Sequence, residues 1–488
     1  MKSHFINGEW KEGSGSTFTS TNPANSKVLW EGHEASSNEI NEAVAAARSA
    51  LKGWSHLGLD KRIKYLETFR ELLEKNKHSL AKAISEEVGK PLWESETEVG
   101  AMISKIGFSI EAYSARCPES TKEQQTGTLS IRHRPHGVMA VFGPFNFPGH
   151  LPNGQIIPAL LAGNTVVLKP SELTPMVSQK IIELWEQCKL PPGVINLIQG
   201  GRETGKLLSQ HQGFDGLLFT GSWPTGLRLS EQLSKTPHKI LALEMGGNNP
   251  FVVGEVDDLK TAAFLTVQSA YTTSGQRCSC ARRLIIPQGK RGDEFISILI
   301  PMIKGIRVGA FDETPQPFMG PVISSKAATA LLEKQKELIA QGGKSLIPMQ
   351  QLERGPAFLS PGLIDVTSIE NRVDEEVFGP LLQLIRVPSF SAAIDEANNT
   401  QYGLTAGLLS DNRAEYHAFY DRIRAGVINW NAPIIGVSGA APFGGLGQSG
   451  NHRPSAFYAA DFCAYPVTSF EATKMQMPAT KPPGINID

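Results

Sequence analysis

Cysteine is scarce in this sequence: 5 in 488 residues, an odd number and a low density. That excludes a disulfide framework and leads to the expectation of a reducing, cytoplasmic setting. An excess of charge of either sign is also missing, with 47 Lys and Arg against 48 Asp and Glu and a net charge of −1. The simplest electrostatic argument for nucleic acid or an anionic membrane as partner is thereby removed. Long hydrophobic runs are lacking too. The best candidate, Val138 to Phe147, is interrupted by Gly143, Pro144 and Asn146, so no transmembrane helix is expected. No apolar stretch follows Lys2, so no secretory signal is expected. Internal repeats and Gly/Ser or charged linkers are lacking, which hides any domain boundary inside the chain. No G-x-S-x-G elbow occurs, which disfavours a serine hydrolase of that kind.

What is present is an ordinary globular composition, 40% hydrophobic and 19% charged. The length suggests roughly two to four domains. The N-terminal part reads helical. Ser36-x-x-Glu39 predicts a capping box, and Ile40, Val44, Ala47 and Leu51 follow at helical spacing. Ile63, Leu66, Phe69, Leu72 and Leu73 repeat the pattern behind Asp60, as stripes facing a core.

From residue 137 the texture changes to short apolar runs ending in Gly, Pro or polar residues, each followed by a helical pattern. The runs are Gly137–Phe142, Thr165–Leu168, Val194–Ile198, Gly216–Phe219 and Ile240–Leu243. Strand, loop and helix in that rhythm predict a parallel α/β sheet, which binds ligands at the carboxyl ends of its strands. A second α/β series has strands at Arg283–Ile286, Leu404–Leu409 and Val427–Trp430, and helices at Asp258–Ser274, Ser324–Ala340 and Phe390–Asn398.

Two residues stand out chemically. Cys278, in Gly-Gln-Arg-Cys-Ser-Cys (275–280), ends a predicted helix; it is either a nucleophile or a buried inert thiol. Cys-x-Cys without a second pair or a nearby His makes a metal site improbable, and no metal is expected. Glu244 directly follows an apolar run; it is either a general base raised in pKa by burial or the cap of the next turn. Gly200 to Lys206 approaches a P-loop, but Leu207 stands where Ser or Thr would hold Mg²⁺, so it reads as a helix-entry turn. Gly221 to Gly226 could place backbone N–H groups before an anion, a weak signal alone.

Larger motifs carry a resemblance. Pro-Phe-Asn-Phe-Pro-Gly (144–149), Leu-Lys-Pro-Ser-Glu (168–172), Phe-Thr-Gly-Ser (219–222) and Leu-Glu-Met-Gly-Gly (243–247) occur in order. They are followed by Gly-Gln-Arg-Cys (275–278), Glu-Glu-Val-Phe-Gly-Pro (375–380), Asn-Asn-x-x-Tyr-Gly-Leu (398–404) and Ala-Pro-Phe-Gly-Gly-Leu-Gly-Gln-Ser-Gly (441–450). Together they resemble the NAD(P)-dependent aldehyde dehydrogenase superfamily over nearly the whole chain. His-Arg-Pro-His-Gly-Val (133–138), Leu-Glu-Met-Gly-Gly-Asn-Asn-Pro (243–250) and Ser-Gly-Asn-His-Arg-Pro-Ser-Ala (449–456) are similar to the branch that oxidises N-succinylglutamate 5-semialdehyde in arginine degradation, with Asn248 as its marker.

The resemblance implies an α/β aldehyde dehydrogenase-like fold of two doubly wound parallel-sheet domains plus a β oligomerisation flap. Residues 1–115 and 135–246 would form the NAD-binding Rossmann-like domain and 247–450 the catalytic domain. Residues 116–134 and 451–488 would supply the oligomerisation hairpin and the C-terminal strand and tail. It implies Cys278 as nucleophile, Asn146 as oxyanion donor with the Cys278 N–H, and Glu244 as the base that activates water. Cys280 has no family role. For NAD, Lys169 and Glu172 match the adenine-ribose positions, with Glu172 disfavouring a 2′-phosphate. Gly221, Ser222, Trp223, Pro224, Thr225 and Gly226 match the pyrophosphate turn, and Glu376 and Phe378 the nicotinamide-ribose contacts. The expected partners are a small anionic aldehyde and further copies of the chain in a homodimer or homotetramer. Arg277 is read first as structural, with a carboxylate-pairing role as the alternative. Oxidation of another semialdehyde or aliphatic aldehyde is the alternative activity; an inactive NAD-binding protein is the alternative outside enzymology.

Overall fold

The computed structural model describes residues 2–477, 480 and 482–485. Two seven-stranded sheets organise it. The first contains every run expected before residue 246, with strands Val138–Phe142, Thr165–Lys169, Ile195–Leu197, Gly216–Gly221 and Ile240–Met245. These five are parallel, with Ile240–Met245 at the edge beside Gly216–Gly221 and then Val138–Phe142, Thr165–Lys169 and Ile195–Leu197. His4–Ile6 and Glu9–Lys11 complete the sheet antiparallel, an extension that the sequence reading did not contain.

Successive side chains of Val138–Phe142 point to opposite faces, and both faces are covered. Met139 and Val141 pack in a cluster with Ile156, Leu160 and Trp185. Val138, Ala140 and Phe142 pack in another with Val44, Phe214 and Leu229. Burial on both faces explains why the strand reads as a continuous apolar run.

The second sheet has the order Lys344–Ile347, Gly362–Asp365, Leu381–Val387, Arg283–Pro287, Pro250–Val253, Thr405–Leu409 and Val427–Trp430. All but the first are parallel. It too is buried on both faces, Leu284 and Ile286 on one and Ile285 on the other.

The helices follow the expected signals. Ser36 caps Ser37–Ser55 in a full capping box with Glu39, burying Ile40, Val44 and Ala47. Ser324 and Ser389 cap Ser325–Ala340 and Phe390–Ala397. The helix expected over Asp258–Ser274 is shorter: Leu259–Tyr271 gives way to a 3₁₀ turn, Thr272–Gly275, in which Thr273 and Ser274 have φ of 57° and 53°. Cys278 therefore lies in a loop beyond the helix.

A third, three-stranded sheet stands apart from both. Ser120–Gln124 and Gly127–Pro135 form a hairpin, and Ala464–Glu471 adds antiparallel to Gly127–Pro135. Part of the tail beyond residue 477 lies outside the described residues. No described helix is long and apolar enough to cross a membrane.

Candidate active site

In chain order the parallel strands of the first sheet run 5-4-1-2-3, so the order reverses between Val138–Phe142 and Gly216–Gly221. A crevice opens at the carboxyl ends of strands at such a point. A cleft of about 980 Å³ lies there. It is lined by all but one of the proposed site residues: Asn146, Lys169, Glu172, the Gly221 to Thr225 turn, Glu244, Cys278, Glu376 and Phe378. The exception is Gly226. Its N–H is spent on the Ser222 carbonyl at 3.0 Å, and a Cβ there would overlap Met245. Gly226 allows the helix to pack against the Glu244 strand.

Three of the side chains lining the cleft, Glu244, Cys278 and Asn146, come from separate elements. Glu244 is the fifth residue of strand Ile240–Met245, and is 1% exposed. Ser449 to Asn451 pin this edge strand: Asn451 Oδ1 accepts from the Leu243 N–H at 2.7 Å, and Ser449 donates to the Gly246 carbonyl at 2.8 Å. Burial pushes the Glu244 carboxyl up to about 8, the Cys278 thiol opposes this, and the Glu376 carboxylate adds to it. Oε1 of Glu244 is buried with no protein hydrogen-bond partner, as a group awaiting water or substrate requires.

Cys278 is held by its loop. Asn249 Nδ2 donates to the carbonyls of Cys278 (2.6 Å) and Cys280 (2.9 Å). Arg282 donates to the carbonyls of Gly275 and Arg277 and pairs with Glu376 at 3.3 Å. Burial raises the Cys278 thiol well above its ordinary range, and the neighbouring Glu244 carboxylate raises it further. A nucleophilic thiol is ordinarily activated by a lowered pKa. The structure instead places a carboxylate against the thiol, able to take its proton.

Asn146 follows strand Val138–Phe142 in the loop before helix His150–Ala162. Its Nδ2 donates to the Gln276 carbonyl at 2.9 Å, and its own carbonyl accepts from Lys90 at 3.0 Å. One amide hydrogen is committed beside the Cys278 loop, and the second has no acceptor among the described residues.

The outer part of the cleft fits a dinucleotide. Helix Trp223–Leu233 begins at Ser222 with no side-chain cap on its first N–H groups, and Ser222, Trp223, Pro224 and Thr225 line the cleft. An uncapped helix N-terminus of this kind suits a pyrophosphate. Lys169 Nζ sits 3.9 Å from the half-exposed Glu172 carboxylate. Glu376 accepts from the Gly247 N–H at 3.3 Å, and Phe378 meets Phe145 edge-on at 5.9 Å.

Several residues that hold this arrangement had no assigned role in the sequence reading. Glu94, Asn249, Arg282 and Ser449 each act on a backbone or side chain from another part of the chain. Arg277 spends three of its five N–H groups inside the protein, donating to Thr273, the Ile435 carbonyl and Glu94 at 2.7–2.8 Å, which suits the structural reading. Asn248 donates to Asp374 at 2.9 Å and so anchors the segment that carries Glu376. No group of His, Cys, Asp and Glu suited to a metal ion occurs among the described residues.

Comparison with known proteins gives one consistent picture. The model described as "Aldehyde dehydrogenase family" matches residues 10–468. Crystal structures superpose over almost the full chain. An aldehyde dehydrogenase from Brucella melitensis biovar abortus has a TM-score of 0.91 at 31% identity, covering 97% of this chain and 98% of its own. PnpE from Pseudomonas sp. WBC-3 has a TM-score of 0.91 at 30% identity, covering 98% and 99%. A betaine aldehyde dehydrogenase from Staphylococcus aureus, solved with NAD⁺, has a TM-score of 0.91 at 27% identity, covering 98% and 95%.

Proposed function

This chain belongs to the aldehyde dehydrogenase family, and from that premise we propose that it oxidises N-succinyl-L-glutamate 5-semialdehyde to N-succinyl-L-glutamate with NAD. The enzyme class, an NAD-dependent aldehyde oxidoreductase, follows from the family. The observation that carries the chemistry is that Cys278, Glu244 and Asn146 line one cleft.

Glu244 in its ionised form takes the thiol proton, and the Cys278 sulfur attacks the aldehyde carbon. The carbonyl oxygen gains a full negative charge in this step. The Asn146 amide and the Cys278 N–H receive it; one such donor is typically worth about 10²–10³ in rate. Ser222 and Trp223 at the helix N-terminus would hold the pyrophosphate of NAD, and Glu172 and Glu376 its riboses; NAD bound there would supply the hydride acceptor. Loss of the hydride leaves a thioester on Cys278; Glu244 passes the thiol proton to solvent, then removes a proton from the attacking water and returns it to the departing sulfur. The acid leaves and the Cys278 thiol is restored.

The substrate assignment is supported by the sequence motifs around Asn248 and Ser449 to Ala456. Its test is kcat/KM for N-succinylglutamate 5-semialdehyde against betaine aldehyde, shorter carboxylate semialdehydes and aliphatic aldehydes. The succinylated substrate is expected to lead; a higher value for any of the others replaces it as the substrate.

A further inference from the structure

Helix Leu92–Arg116 turns three ionisable side chains inward, Glu94, Glu98 and Lys105, all nearly inaccessible to water. The two carboxylates are fully committed. Glu94 pairs with Arg277 at 2.7 Å and accepts from Thr273. Glu98 pairs with Lys90 and accepts from the N–H groups of Gly149 and His150 at 2.9 and 3.0 Å. Lys105, 3% exposed, makes no hydrogen bond or ion pair among the described residues. A buried ammonium with no counter-charge is expensive unless a ligand supplies one.

Its surroundings lie beside the catalytic loop. The Lys105 chain passes over Gly154, where a Cβ would stand 3.3 Å from Cε and 3.7 Å from Nζ. A glycine here leaves room that any larger residue would take from the lysine. One turn earlier on the same helix, the Nδ1 of His150 is buried and has no partner. His150 meets Phe147, the neighbour of Asn146, edge-on at 6.4 Å, and feels the charges of Lys105, Lys90 and Arg277. Phe147 in turn carries Lys90 at 3.9 Å and Arg277 at 4.9 Å over its ring. Of the three cations around His150, Lys90 and Arg277 are paired with carboxylates and Lys105 is not. Burial lowers Lys105 only to about 8, so it keeps its proton at neutral pH.

We propose that Lys105 and His150 form a carboxylate-binding subsite that receives the anionic tail of the aldehyde while Cys278 attacks its other end. Lys105 supplies the charge, and His150, neutral in this setting, supplies an N–H to the second carboxylate oxygen. The inference rests on the aldehyde-oxidising reading above and deepens it, by naming the groups that select a carboxylate-bearing substrate.

The test compares the wild-type enzyme with Lys105→Met on N-succinylglutamate 5-semialdehyde, succinic semialdehyde, butanal and hexanal. For the carboxylate aldehydes, kcat/KM is expected to fall on the order of 10²-fold, chiefly through KM, because the tail's charge loses its buried partner. For the uncharged aldehydes it is expected to stay within about threefold. The variant's thermal midpoint is expected to rise, because it replaces an unpaired buried charge with an apolar chain of similar length. The product N-succinylglutamate is expected to raise the midpoint of the wild type and not of the variant. An equal loss on charged and uncharged aldehydes would overturn the subsite while leaving a wild-type preference for the succinylated substrate intact. If the wild type instead prefers succinic semialdehyde and Lys105→Met abolishes that preference, the subsite stands and the substrate proposed above falls. Absence of any wild-type preference for carboxylate aldehydes overturns the subsite.

Discussion

Glu244 joins two properties that oppose each other. In the proposed mechanism it must be ionised to take a proton from the thiol or from water, and its burial makes ionisation costly. With its carboxyl raised to about 8, the deacylation rate is expected to increase with pH through that value and to fall away on the acid side. Glu244→Gln removes the base, so at most one NADH per site should form before the thioester stalls; sustained turnover in rapid-quench and steady-state assays would remove Glu244 from deacylation. The same group has a stability signature. Its folded-state pKa lies above the unfolded value of 4.5, so its contribution is fully present below about pH 4.5 and is lost as pH rises through about 8. Glu244→Gln should therefore melt higher than wild type at pH 8–9, and the gap should close toward pH 5. Thermal melts giving the opposite order would contradict the burial argument.

The two thiols near the site divide by geometry. Cys278 lines the cleft, whereas Cys280 is fully buried with its sulfur 3.5 Å from the Thr272 carbonyl. Cys278→Ala should abolish NADH production, and Cys280→Ala should keep most of it; the reverse pattern in a steady-state assay would reassign the nucleophile. From spacing alone this division was not legible, because Gly-Gln-Arg-Cys-Ser-Cys says nothing of which sulfur meets a carboxylate. The longer ordered motifs pointed to Cys278. The supports of the loop stayed hidden for a physical reason. Arg277 and Glu94 are 183 residues apart, and local pattern carries no record of so distant a pairing.

At the scale of elements, the loop that carries Cys278 is a backbone device. Thr273, Ser274 and Gly275 have successive positive φ values of 57°, 53° and 71°, which turn the chain sharply between helix Leu259–Tyr271 and Cys278. A Cβ on Gly275 would overlap the Gly379 carbonyl, just ahead of strand Leu381–Val387. Gly275→Ala is therefore expected to cost about 1–3 kcal/mol in stability. It should also lower kcat on the order of 10²-fold, because a displacement of about 1 Å at a nucleophile is enough for that. Melting and single-turnover rates at wild-type values would show that the loop tolerates the side chain.

Helical periodicity places Leu259–Tyr271 correctly but overruns it, since Thr272 to Ser274 continue an acceptable helical composition, whereas in the fold Thr272 is extended and Thr273 and Ser274 are left-handed. Among the strands, the legible ones were runs bounded by Gly or Pro. His4–Ile6, only three residues long, has too few for a period and joins the first sheet through the pairing of Phe5 with Leu197. Gly362–Asp365, in which Gly precedes Leu-Ile-Asp, lacks the alternation or the length that marks a strand from sequence.

For the whole molecule, the sheet of Ser120–Gln124, Gly127–Pro135 and Ala464–Glu471 raises the question of what covers it. Ala464–Glu471 pairs along all eight of its residues with Gly127–Pro135, while its other edge pairs with no strand among the described residues. An open edge that long is a template for another chain. Phe470 on this strand is 51% exposed and Tyr465 41%, an unusual display for a water-facing strand. The sheet also joins distant parts of the sequence, since Arg116 at the end of helix Leu92–Arg116 pairs with Asp461 at 2.7 Å just before the strand. The flap is thereby fixed to the body and its free edge is presented outward. We propose a second copy of the chain as the partner for this edge, which is what the expected homodimer or homotetramer would require. Phe470→Asp places a charge on that edge without touching the cleft, so it should shift the mass found by light scattering toward the monomer, with far-UV circular dichroism unchanged. A variant that keeps the wild-type mass at micromolar concentration would show that the edge around Phe470 is not where the subunits meet.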